Sequence, residues 1–150
     1  MNIYDKADWH AGGDGFPEYL PQKCAATHIA FFIVWAIQNN IASALFSKDC
    51  NQGLEKLLSR QITPGTFFLE YCDGVFSDDH LTPMGNDFTK FYYENNLYLD
   101  DYEKVLGQNL ASLYEVQDTW DNFDLMAATI NKQWHNWSKR GSSRWLFWKK

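Results

Sequence analysis

Long apolar runs are missing from this 150-residue chain. The longest, Ile29 to Ile37, has nine residues, whereas a membrane-spanning helix needs about 20, so no transmembrane helix is expected. Cysteine is scarce and odd in number: Cys24, Cys50 and Cys72, with no CxxC pair. That argues against a disulfide scaffold and a thiolate zinc site, and for reduced, mostly buried thiols in a cytoplasmic protein. The opening Met1 to Lys6 lacks both the basic cluster and the apolar core of a secretory signal. No HExxH, no GxSxG and no phosphate-cradling glycine loop occurs. The one glycine cluster, Gly12-Gly13-Asp14-Gly15, runs into Pro17 and opens no helix. No alternating strand of useful length stands out, and Gly74-Val75-Phe76-Ser77 is too short to argue from.

What the chain has in quantity is aromatic residues: 7 Trp, 8 Tyr and 11 Phe. With 45% apolar and 21% charged residues, it is globular rather than disordered. A single domain over 1–150 is expected. Residues 1–26 read as irregular, pinned to the core by Trp9, Phe16, Tyr19 and Leu20. The spacing of Ile29, Phe32, Ile33, Ala36, Ile37 and Ile41 predicts a central helix from Thr27 to Phe46, apolar nearly all round and therefore buried on most sides. Thr27 is its expected N-cap. A short helix follows over Gln52 to Gln61. Thr63-Pro64 and Thr82-Pro83 mark two more helix starts, since proline fits the first helical turn, where its missing N–H has no partner anyway. Asn95-Asn96 breaks the second of these, and Tyr98 to Leu106 forms another helix. Trp120, Phe123, Ala127, Ile130, Trp134 and Trp137 step by three and four along one stripe of a last helix. Asp118 is its expected cap, with Asp121 in a capping-box position, and Gly141 its end. The fold class is all-α, with about six or seven helices around the buried central one.

Charge is unevenly placed. Residues 131–150 carry six bases and no acid, leaving seven bases and nineteen acids elsewhere, a balance of −12. Between Thr66 and Asp124 lie thirteen carboxylates against Lys90 and Lys104. Phosphate-rich partners avoid such a surface and cationic ones associate with it faster, so neither nucleic acid nor membrane is an expected partner. Lys139 to Lys150 mixes bases with Trp145 and Trp148. This basic aromatic tail, 141–150, is expected to pack on the chain's own acidic domain or on a partner subunit.

Several stretches carry a recognisable pattern: Tyr4-Asp5-Lys6-Ala7-Asp8-Trp9-His10, Phe16-Pro17, Leu20-Pro21, Ala26-Thr27-His28-Ile29 and Trp35-Ala36-Ile37, with Asp73-Gly74 and Tyr98 to Tyr102 further on. The pattern resembles a family of small bacterial proteins similar to the immunity proteins encoded beside secreted antibacterial toxins, such as type VI effectors. The resemblance implies a cytoplasmic protein that binds and blocks one cognate toxin. It carries over no catalytic or ligand residue.

Two clusters invite chemistry. Asp73, Asp78, Asp79 and His80 put three carboxylates and an imidazole in eight residues, but the spacing fits no metal template and reads first as a helix-connecting turn. His10 and His28 lie near Asp5, Asp8 and Asp14 in sequence; their expected role is to hydrogen-bond backbone and hold the N-terminal segment. The reading is therefore of a binding protein, with no catalytic residue, metal ligand or cofactor. Asp78, Asp79, Asp100, Asp101, Asp118 and Asp121 are expected to face a toxin, plausibly a basic nuclease-type domain. Tyr92, Tyr93, Tyr98 and Tyr102 are candidate anchors, with Tyr98 and Tyr102 put forward for the partner-binding set, because tyrosine is enriched at interface hot spots; each suits the core equally well. Whether it acts as monomer or homodimer is left open. The alternative is a small metal-dependent enzyme using Asp73, Asp78, Asp79, His80 or His28.

Overall fold

A computed structural model describes residues 1–49 and 51–148, with Leu45, Ser47, Asp49 and 141–148 as backbone alone. Cys50, Lys149 and Lys150, and the expected packing of Trp145 and Trp148, lie outside the described residues. Among the described residues there are seven α-helices of six residues or more and one of five, with a single two-stranded ribbon. In chain order they are β1 (Ile3–Lys6), α1 (Ala7–Ala11), α2 (Thr27–Gln38), α3 (Ala44–Asp49), α4 (Asn51–Leu58), α5 (Pro64–Tyr71), β2 (Val75–Ser77), α6 (Pro83–Tyr92), α7 (Leu97–Leu106) and α8 (Trp120–Trp148). Short 3-10 turns sit at Gln22–Ala26, Asp78–His80 and Leu113–Glu115. No described helix is long and apolar enough to cross a membrane.

The central helix is as buried as its composition demands: ten of the twelve residues of α2 are inside. Phe32 stands at its middle, its ring against Trp35, Phe76, Phe88, Tyr93 and Tyr98. Complete burial of one such ring stabilises by roughly 1.5–3 kcal/mol. Trp35 keeps a polar outlet, its indole N–H donating to Asn131 of α8 at 2.8 Å, because a buried N–H without an acceptor is costly. The stripe along α8 closes over this core, with Phe123, Met126 and Ile130 fully buried.

Both Thr-Pro starts are realised. Thr63 Oγ1 accepts the Thr66 N–H at 3.2 Å and Thr82 Oγ1 the Gly85 N–H at 3.1 Å. Other expectations are corrected. The central helix stops at Gln38, not Phe46. Asn40 takes a left-handed φ of 61°, and the next residues pair sideways: Ala42 bridges Leu81 and Ser43 N–H reaches the His80 carbonyl at 2.8 Å. Thr27 lies within the helix, because the 3-10 turn before it feeds straight in. Residues 1–26 are less irregular than expected. They hold β1, antiparallel to β2 with Ile3 opposite Ser77 and Lys6 opposite Val75, and α1. Gly141 does not end α8, which runs on to Trp148. Cys72 is buried and Cys24 half-buried.

Candidate functional site

The β1–β2 register shifts between Ile3 and Asp5, and Asp5 is buried. A carboxylate inside a protein must collect donors or lose its charge, and Asp5 collects them from several elements. Its Oδ1 accepts the Lys6 N–H at 2.9 Å and lies 2.8 Å from His10 Nε2 on α1. Its Oδ2 accepts the Tyr93 hydroxyl, just past α6, at 2.6 Å. His28, the second residue of α2, brings Nε2 to 3.7 Å of Oδ2, which is close for charge but too far for a hydrogen bond. On the outer side of His10, Nδ1 lies 2.6 Å from the hydroxyl of Tyr114, in the 3-10 turn at Leu113–Glu115.

The electrostatics follow from these contacts. Burial alone would raise the Asp5 pKa, but the hydrogen bonds from His10 and Tyr93, with the nearby His28 dipole, outweigh it and hold the carboxyl well below its ordinary range. An ionised Asp5 only accepts, so His10 donates to it through Nε2, and its Nδ1 meets the Tyr114 hydroxyl. Burial lowers the His28 pKa despite the opposing Asp5 charge, which keeps that ring neutral. Burial first, and then Asp5, raises the Tyr93 phenol far above its usual value.

Beside the cluster is a cavity of about 540 Å³ whose wall includes Cys24, Thr27, Thr66, Tyr114, Glu115 and Asp118. Tyr114 therefore faces the cavity and also holds His10.

The expected partner-binding residues fare unevenly. Asp79, Asp100 and Asp121 are exposed. Asp78 accepts the Asn2 N–H at 3.0 Å and helps fix β1. Asp101 accepts from the Tyr92 hydroxyl at 2.6 Å and Gln133 at 3.0 Å, tying α7 to α6 and α8. Asp118 does not cap α8; Thr119 does, its Oγ1 accepting the Asn122 N–H at 3.2 Å. The Asp118 carboxylate turns instead to α5, accepting from Gly65 N–H at 3.0 Å and the Thr63 hydroxyl at 2.6 Å. Tyr98 and Tyr102 are not anchors: they are 0% and 1% exposed. Tyr98 donates to the His28 carbonyl at 2.6 Å. Tyr92 and Tyr93 are buried as well. The core takes each ring, and internal acceptors take the hydroxyls of Tyr92, Tyr93 and Tyr98, while the Tyr102 hydroxyl is buried without a hydrogen-bond partner among the described residues.

The Asp73–His80 stretch is only in part the turn its composition suggests: Val75–Ser77 form β2, and Asp78–His80 make a 3-10 turn in which His80 Nδ1 accepts the Ser77 N–H at 3.0 Å. What the sequence reading did not assemble is the Asp5 group. Asp5, His10 and His28 were visible as neighbours along the chain, but the hydroxyls of Tyr93 and Tyr114 arrive from residues with no local signal.

The profile of a family described as a domain of unknown function, DUF7832, matches residues 3–116. The chain belongs to that family. No curated protein and no solved structure matches the chain. The DUF7832 segment contains every member of the Asp5 cluster and much of the cavity wall, and it ends before α8.

Proposed function

We propose that this DUF7832 protein works in the cytoplasm by gripping a cationic protein, and that the partner is an antibacterial toxin which it neutralises as an immunity protein. One observation carries the reading. Of the thirteen carboxylates between Thr66 and Asp124, five are held by the chain itself: Asp78, Asp101, Glu115, Asp118 and Asp124. The other eight are exposed, Asp79, Asp100 and Asp121 among them. Only Lys90 and Lys104 supply positive charge in that stretch. Such a surface speeds the approach of a basic partner and rejects nucleic acid. The contact set is thus smaller than the sequence suggests, and it draws on carboxylates rather than tyrosines.

The test is co-purification with the product of the adjacent gene, followed by rescue of cells expressing that product. Rescue lost on simultaneous charge reversal at Asp79, Asp100 and Asp121 supports the reading. Rescue that survives it removes this surface, and no complex at all removes the partner.

A further inference from the structure

We propose that Asp5, His10 and His28 form a binding site for one divalent transition-metal ion of the zinc class. This goes beyond the surface reading and does not depend on it. One carboxylate oxygen and one ring nitrogen from each histidine lie within 4.8 Å of one another. Ligands about 2.0–2.1 Å from a tetrahedral ion stand roughly 3.3 Å apart. His10 Nε2 stands 2.8 Å from Asp5 Oδ1 and His28 Nε2 stands 3.7 Å from Asp5 Oδ2, so the two imidazoles flank one carboxylate at separations on either side of that value.

A second observation is independent of that spacing. His28 Nε2 is buried and has no hydrogen-bond partner. A buried polar atom left unsatisfied costs about 1–3 kcal/mol, and this one is aimed at the Asp5 carboxylate. A metal ion satisfies it.

The surrounding contacts already have the form that metal ligands require. A ligating histidine usually donates its other ring N–H to a neighbouring acceptor, and a ligating carboxylate is itself hydrogen-bonded. Tyr114 waits at His10 Nδ1, while Tyr93 and the Lys6 N–H hold Asp5. When His10 Nε2 binds the ion, the ring carries its proton on Nδ1 and donates it to the Tyr114 hydroxyl. Two imidazoles and one carboxylate suit zinc, cobalt, nickel or ferrous iron, and supply too few oxygens for calcium or magnesium. His10, with 23% of its side chain exposed, gives the ion its way in.

The experiment uses the full chain, stripped with chelator and titrated with Zn²⁺, Co²⁺ or Mg²⁺. Elemental analysis after desalting should find one zinc per chain. Cobalt should give the visible absorption of a low-coordinate N/O site. Thermal stability should rise with zinc and not with magnesium. His28→Gln and His10→Gln should each weaken zinc binding by at least about 100-fold, and Tyr114→Phe by about 10-fold. His135→Gln, on the exposed face of α8, should leave binding unchanged. Should His28→Gln fail to fold, His10→Gln alone decides. No stoichiometric zinc in the wild type, or zinc retained equally by His10→Gln, overturns the assignment.

Discussion

The carboxylate of Asp118 caps the helix that begins at Pro64 by accepting the N–H of Gly65 at 3.0 Å. A Cβ on Gly65 would stand 2.4 Å from Asp118 Oδ2, so the glycine is what lets the carboxylate approach. Gly65→Ala should push Asp118 off its donors and destabilise by about 1–2 kcal/mol, although alanine is the better helix former. Asp118→Ala should cost a similar amount. Urea denaturation measures both, and if the loss is shared the double variant should fall short of the sum.

Tyrosine hydroxyls in the core should differ in worth according to what accepts them. Tyr93 donates to an ionised carboxylate and Tyr98 to a backbone carbonyl within α2. Tyr93→Phe should cost about 1.5–3 kcal/mol and Tyr98→Phe nearer 1 kcal/mol. Chemical denaturation of the two variants side by side gives the ranking, and the reverse order contradicts an ionised Asp5.

Reversing Asp79 to lysine should shift stability by less than about 0.5 kcal/mol, because an exposed charge contributes little, and reversing Asp100 or Asp121, each in the first turn of a helix, should cost about 0.5–1 kcal/mol through the helix dipole. The same change at Asp101 should be far more damaging, since its Oδ2 serves both Tyr92 and Gln133. Thermal melts of the four variants separate surface from scaffold before any binding assay is attempted.

Alkaline pH should unfold the protein through its phenols. Burial, with Glu94, Asp78 and Asp87 adding repulsion, pushes Tyr4 up to about 12 from its ordinary 10.0. A group raised in the fold contributes stability that is whole below its unfolded pKa and lost as pH climbs through the folded one. Between pH 10 and 12, wild type should therefore lose stability relative to Tyr4→Phe, while below pH 10 the gap between them stays constant. Denaturation midpoints at stepped pH show whether the gap narrows.

Local rules served the sequence reading well where the determinant is local. Thr63-Pro64, Thr82-Pro83 and the α8 stripe follow from capping and a 3.6-residue period, and all three are found. The central helix was legible to Gln38, but its end was not: Asn40 turns left-handed because Leu81 and Thr82 offer Ile41 and Ala42 a backbone partner across the fold. Asp118 looked like a cap from its own helix's side alone, and the competing donor was Gly65. Tyr98 and Tyr102 carried no mark telling core from interface, since one amphipathic ring suits both. The Asp5 cluster joins residues separated by as many as 104 positions, as with His10 and Tyr114, and periodicity is silent at that range.

The ribbon has an effect on timing. Ile3 lies opposite Ser77, so during synthesis the earlier strand leaves the ribosome long before its mate. Until Val75–Ser77 and then Tyr93 follow, Asp5 stays hydrated, and its segment is held back from its place. Contacts so distant along a chain slow folding, and the pairing of Asn2 with Asp78 waits on the same delay.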